Sequence, residues 1–189
     1  TDTTTVSDRV TFNAFSSLVF SESSVFKSVR GLAPVINISA DVKVFESHLV
    51  LEATNYYVDA GVWVQSEVEN IYVEPKSGGS GSLVSETPVT WRSANDLSFE
   101  VPMSVVGEGS LFLQTDSDED GSGTLSFSSV AHLTVDDVLV RSVVITAADF
   151  TLDSNLVARQ ANVTVQASNS TQAIVSFGAN HGGLHFSDA

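Results

Sequence analysis

Short runs in which two apolar residues flank a single outward position recur along the chain. They are Val42-Lys43-Val44, Val62-Trp63-Val64, Ile71-Tyr72-Val73, Leu97-Ser98-Phe99, Leu111-Phe112-Leu113, Leu133-Thr134-Val135, Phe150-Thr151-Leu152 and Val163-Thr164-Val165. Alternation with a period of two puts the first and third residues on one face of a strand and the middle one on the other. No window of a dozen residues carries apolar positions at helical spacing, so helix is expected to be minimal. Val, Ser and Thr dominate, and β-branched side chains favour a pleated, half-buried surface. The expectation is an all-β chain.

The strands are short and follow one another closely, above all from Leu133 to Phe186, which leaves little room for hairpin loops. Such spacing suits a parallel β-helix, a solenoid in which a strand bends at a corner and pairs with the same face of the neighbouring coil. The alternative is an antiparallel jelly-roll or β-sandwich. The two differ in topology, with parallel ladders in the first and antiparallel pairs in two opposed sheets in the second.

One weak unit repeats: Ala, a short polar residue, then apolar, polar, apolar. It reads Ala40-Asp41-Val42-Lys43-Val44, Ala131-His132-Leu133-Thr134-Val135, Ala148-Asp149-Phe150-Thr151-Leu152 and Ala161-Asn162-Val163-Thr164-Val165, with a longer version at Ala94-Asn95-Asp96-Leu97. The physical reading is a corner. A small residue packs where the chain bends, and a short polar side chain satisfies the turn's backbone. The run Lys76-Ser77-Gly78-Gly79-Ser80-Gly81-Ser82 has linker composition and marks either a sub-boundary at 76–82 or a loop thrown out from a corner. Because both flanks read as the same β structure, residues 1–189 are expected to form a single β-rich domain, with 83–189 the clearest solenoid part.

Charge narrows the partners. The 189 residues hold 8 Lys and Arg against 23 Asp and Glu, a net charge of −15. Eight scattered cations cannot neutralise a run of phosphates, so nucleic-acid binding is excluded. No apolar run approaches the roughly 20 residues that span a bilayer, so no membrane insertion is expected. A chain of this size needs no disulfide or metal staple, and it has no cysteine. The chain opens at Thr1 without Met and closes at Ser187-Asp188-Ala189, and from this it is expected to be part of a longer protein.

The sharpest local motif is Asp116-Ser117-Asp118-Glu119-Asp120-Gly121-Ser122-Gly123. Alternate carboxylates before a glycine let the chain wrap a hard cation, so Asp116, Asp118 and Asp120, with the Ser122 carbonyl, are candidate calcium ligands. Position twelve of such a loop is Phe127 and not an acid, so an acidic solvated turn is the competing reading. Trp63 and Tyr72 alternate outward from apolar neighbours, and outward aromatics on a solenoid can stack sugars or pack against a partner. Asn37, Asn162 and Asn169 stand in glycosylation sequons of the kind a Ser- and Thr-rich chain produces by chance.

Catalytic signatures are missing. There is no Gly-x-Ser-x-Gly elbow and no thiol nucleophile, Asp136-Asp137 is the only adjacent Asp pair, and His48, His132, His181 and His185 are dispersed. His181 and His185 would share a face only on a helix, which Gly182-Gly183 opposes. No enzymatic activity is expected.

The stretch from Val143 to Ala189 contains Val144-Ile145-Thr146-Ala147-Ala148-Asp149-Phe150-Thr151-Leu152, Ala161-Asn162-Val163-Thr164-Val165, Ile174-Val175-Ser176-Phe177-Gly178-Ala179 and Gly183-Leu184-His185-Phe186. This order resembles the filamentous-haemagglutinin-like repeats of very large secreted proteins, most closely over residues 143–189. The resemblance implies a right-handed parallel β-helix acting as an extracellular or cell-surface stalk, filament subunit or adhesin. Its partners would be other copies or neighbouring domains of the same large protein, and glycans. A jelly-roll architecture would point instead to a carbohydrate-binding module or a viral coat or tail subunit.

Overall fold

A computed structural model describes residues 4–5, 9–77, 79–159, 161–168, 175–177 and 184–186. They form a parallel β-solenoid of about seven turns with three stacked sheets and no helix. Each coil contributes one strand to each sheet in fixed order. Sheet A holds Thr4–Thr5, Ser24–Phe26, Val42–Val44, Trp63–Ser66, Val89–Ser93, Gly109–Gln114, Val140–Ala147 and Asn162–Ala167. Sheet B holds Arg9–Asn13, Ser28–Leu32, Leu49–Ala53, Ile71–Pro75, Leu97–Phe99, Thr124–Phe127 and Asp149–Leu152. Sheet C holds Ser17–Phe20, Val35–Ile38, Asn55–Val58, Ser82–Glu86, Met103–Val106, Leu133–Val135 and Leu156–Ala158. Every pairing within these sheets is parallel, which rules out the jelly-roll and the sandwich. Beyond them, Val175–Phe177 pairs in parallel with Leu184–Phe186.

Alternation fixes the core. Val42, Val64, Trp91, Leu113, Ile145 and Val165 lie in register on sheet A, one per coil. Leu49, Ile71, Leu97, Leu125 and Phe150 do the same on sheet B, and Ile36, Tyr56, Leu83, Met103 and Leu133 on sheet C. These inward positions are buried, apart from the half-buried Val165, and meet in one hydrophobic interior. Aromatic rings fill its widest parts: Phe99 stacks on Phe127 at 5.0 Å, and Trp91 meets Phe99 edge-on at 5.4 Å. Leu133, Val135, Ile145 and Phe150 are buried and Leu152 and Val165 pack against them, while Thr151 and Thr164 are exposed and Thr134 half-buried. Val163 keeps the inward register opposite the buried Val143, yet it remains 36% exposed on the last described rung of sheet A.

The aromatic-rich N-terminal stretch belongs to the same solenoid. Phe12, Phe20 and Phe26 pack edge to face at 5.9 to 6.4 Å inside the first coils. Coils are shortest there: Ser24 lies opposite Val42, 18 residues on. Later corners are longer, and Leu111 lies opposite Val143, 32 residues on. The Gly/Ser run occupies a corner between sheets B and C, and the strands on both sides of it continue their ladders without a break. Gly81 approaches the core so closely that a Cβ there would stand 2.3 Å from Val101 Cγ1.

Polar ladders hold the corners. Asn70 Oδ1 accepts from Asp96 N at 3.1 Å, and Asp96 Oδ1 accepts from Thr124 N at 2.8 Å, so a short polar side chain on one coil fixes the strand start on the next. The ion pairs Lys27–Glu46, Arg30–Glu52, Lys43–Glu67, Arg141–Glu108 and Arg159–Asp136 each join adjacent coils. Among the described residues, no helix is long and apolar enough to cross a membrane.

Candidate functional site

The acidic loop lies at the corner between sheets A and B, after Gln114 and before Thr124. Asp116 is buried in a left-handed backbone conformation with φ of 53°, while Asp118 and Asp120 are exposed. One ligating oxygen from each of the three can be chosen so that all lie within 4.8 Å of one another, a geometry that could hold a metal ion. Asp116 Oδ1 accepts from Gly121 N at 3.1 Å, and Oδ2 accepts from the Ser168 hydroxyl. Asp120 Oδ1 accepts from the Ser122 hydroxyl at 2.6 Å and from its N–H at 2.8 Å. Those two bonds hold the Asp120 carboxyl below the usual range, the hydroxyl contributing most. The Ser122 side chain is therefore engaged by Asp120. Phe127 is buried in the core strand, so the loop closes without a terminal acid.

This loop clasps several coils. Ser117 N donates to Ser93 O at 3.1 Å on the preceding coil, where Arg92 Nη2 also reaches Ser117 O at 3.1 Å. Gly123 O accepts from Ala148 N and Asp149 N, each at 3.2 Å, on the following coil, and Ser168 lies one rung further. Gly123 sits where only glycine fits: φ is +130°, and a Cβ would stand 2.6 Å from Asp116 N. Sequence reading found the three Asp and missed Ser93, Arg92 and Ser168. No local spacing links them, since they meet only through the stacking of coils.

Trp63 and Tyr72 are on different faces. Trp63 projects from sheet A and is 48% exposed. Tyr72 projects from sheet B, half-buried, with His48 at 5.7 Å from its ring and its hydroxyl accepting from Asn70 Nδ2 at 2.5 Å. Around Trp63 runs a groove of about 420 Å³ lined by Ser23, Ser24, Asp41, Lys43 and Gln65. Asp41 Oδ1 accepts from Trp63 N at 2.8 Å, and Lys43 is paired with Glu67 on the next coil.

A second set of carboxylates stacks at the corner between sheets B and C. Glu52 lies in register with Glu74, and Glu100 follows on the next coil, its N–H donating to Val73 O at 2.9 Å. Arg30 pairs with Glu52 at one end. Partial burial pushes the Glu74 carboxyl up, helped by the charges of Glu100 and Glu52 and opposed by Arg30. Beneath it, the hydroxyl of buried Tyr56 lies between the carbonyls of Leu51 and Glu74, and burial raises its pKa strongly.

The other candidates are placed as follows. Asn37 is half-buried on the outer face of sheet C, between Val19 and Tyr57, and Asn162 is exposed at the start of its sheet A strand. Asn169 and His181 lie outside the described residues, as does the side chain of His185. Asp137 caps its own corner by accepting from Leu139 N at 2.9 Å and ties it to the preceding coil by accepting from Gly107 N at 2.9 Å, and Asp136 pairs with Arg159 at 3.4 Å. His132 is exposed and lies at a corner.

No protein-family description, curated protein or solved structure matches the chain. The class of protein follows from the coordinates alone: a β-helix, an architecture typical of structural and surface proteins. The likeness to filamentous-haemagglutinin repeats extends to that coil architecture, and no family match supports it beyond that.

Proposed function

We propose that the chain is a structural segment of a large extracellular or cell-surface protein, serving as a stalk, filament subunit or adhesin and not as a catalyst. The observation that carries this reading is the continuity of three parallel sheets over about seven coils. At about 4.8 Å per rung, seven coils make a rod roughly 34 Å long that further coils extend without changing its cross-section. The corner ladders of Asn70 and Asp96 tie successive rungs together. Staining of intact, unpermeabilised source cells with an antibody to this segment tests the reading. Surface label lost on external protease treatment is expected, and label confined to permeabilised cells overturns it.

The acidic loop adds a finer proposal, that Asp116, Asp118 and Asp120 hold calcium and tie the loop to the coils it spans. Support comes from their convergence and from the burial of Asp116. Bound calcium stabilises the folded state by about 2.7 kcal/mol at a hundred times its dissociation constant. The melting temperature should rise with the logarithm of calcium concentration, and the triple Asp116→Asn, Asp118→Asn, Asp120→Asn variant should lose the response. A melting curve unmoved by millimolar calcium leaves the loop as an acidic turn.

A further inference from the structure

The outer face of sheet A carries two parallel rows that run along the solenoid axis. One is Trp63, Thr90, Phe112, Val144 and Thr164 in register. The other, two residues further along each strand, is Gln65, Arg92, Gln114, Thr146 and Gln166. Trp63 is 48% exposed and Phe112 40%, although the chain's other tryptophan, Trp91, is fully buried. Trp63 and Phe112 thus present two aromatic faces on one row, the first beside a groove lined by Ser24, Asp41 and Gln65.

We propose that sheet A binds a neutral, extended polysaccharide laid along the solenoid axis, with Trp63 and Phe112 as stacking platforms. Gln65 and Gln114 would meet the hydroxyls at its edge. A pyranose ring offers an apolar C–H face and a polar rim, so it needs an aromatic surface with hydrogen-bonding groups alongside. The two rows supply that pair of surfaces, separated by about 6.7 Å along each strand. Trp63 and Phe112 are two rungs apart, about 9.6 Å at 4.8 Å per rung. That distance is close to one disaccharide of an extended chain, so two sugars separated by one residue meet Trp63 and Phe112 while the sugar between them lies over Thr90. Asp41, Gln65 and Ser24 line the groove at the Trp63 end. The cations of the Gln65 row are already engaged, Lys43 by Glu67 and Arg92 by the Ser117 carbonyl, which favours a neutral glycan over uronic-acid and sulfated polymers.

Native affinity electrophoresis of the whole chain in gels containing hydroxyethylcellulose tests the proposal, with alginate and dextran sulfate as polyanion arms. Retardation is expected in hydroxyethylcellulose alone. Trp63→Ala should weaken it at least tenfold and Phe112→Ala several-fold, with melting temperatures close to the parent because both side chains face outward. Tyr57→Ala removes an exposed aromatic on sheet C and should change nothing. Indole emission should shift on adding cellohexaose in the parent and stay fixed in Trp63→Phe, where Trp91 alone reports. Absence of retardation in the neutral polymer overturns the proposal, as does retardation that Trp63→Ala leaves intact. Self-association of the parent that Trp63→Ala abolishes, without any glycan effect, assigns the face to a protein contact and overturns it as well. The cell-staining result is independent of all these outcomes.

Discussion

Two sets of three carboxylates occupy neighbouring corners of the solenoid and meet opposite electrostatic conditions. Glu52, Glu74 and Glu100 are stacked one per rung by the ladder itself, so like charges are held close together with Arg30 at one end. Partial burial pushes the Glu74 carboxyl up, and the charges of Glu100 and Glu52 add to the shift. Asp116, Asp118 and Asp120 come from a single loop, in which Asp116 accepts from Gly121 N and from the Ser168 hydroxyl of a later coil, and Asp120 accepts from the N–H and hydroxyl of Ser122. Asp120 is held down. The density of acids along the sequence does not distinguish the two sets; what does is that Glu74 is partly buried beside like charges, whereas Asp120 is exposed and accepts from the Ser122 hydroxyl and N–H.

The core sets the scale against which both sets are read. Phe150→Ala should cost about 3–5 kcal/mol, because the ring is buried in the sheet B ladder. Thr151→Ala, outward on the same strand, should stay within ~0.5 kcal/mol in chemical denaturation. Equal losses would show the strand register to be wrong.

Asp116→Ala comes next. It leaves the Gly121 N–H and Ser168 hydroxyl without their acceptor at a buried site, and about 1–3 kcal/mol should be lost. Glu100→Ala, on the stacked set, should cost nothing or stabilise slightly. If both variants lose equally, the two sets do not differ in the way described.

The smallest effects are in pH dependence, and their signs are opposite. A raised carboxyl such as Glu74 favours folding below the unfolded value of about 4.3, and that contribution fades as pH rises through the folded value. Glu74→Gln should therefore be more stable than the parent at pH 7, by under ~1 kcal/mol given solvent screening, with the difference closing toward pH 4. A lowered carboxyl such as Asp120 contributes above the unfolded value of about 3.9 and loses that contribution as pH falls through the folded one. Asp120→Asn should be the less stable protein at pH 7 and converge with the parent in acid. Urea midpoints taken across pH 3 to 7 read both curves.

Much of this architecture is legible in the alternation, because a solenoid strand is little more than an inward, outward, inward triplet. Val42-Lys43-Val44, Leu97-Ser98-Phe99 and Leu133-Thr134-Val135 are such triplets, and they lie on sheets A, B and C respectively. Their distribution explains why the repeating unit has no constant period. It marks a corner followed by a strand, and every coil has three corners. Coil length is hidden because corners vary and only the strands are constrained. The outward direction of Trp63 is readable from its neighbours, but its separation from Tyr72 is not, since consecutive strands of a coil belong to different sheets. The bond between Ser168 and Asp116 joins residues 52 apart and depends on how many coils intervene.

The tolerance of the corners has a consequence for how such a rod acquires new properties. Coils from 18 to 32 residues long coexist in one ladder, and the strands on either side of the longest corners keep their partners. Chain can therefore be grafted at a corner while the scaffold beneath stays fixed. The rod behaves as a rack with three columns of sockets, in which the height and edge of a displayed loop are chosen by where in the chain it is inserted.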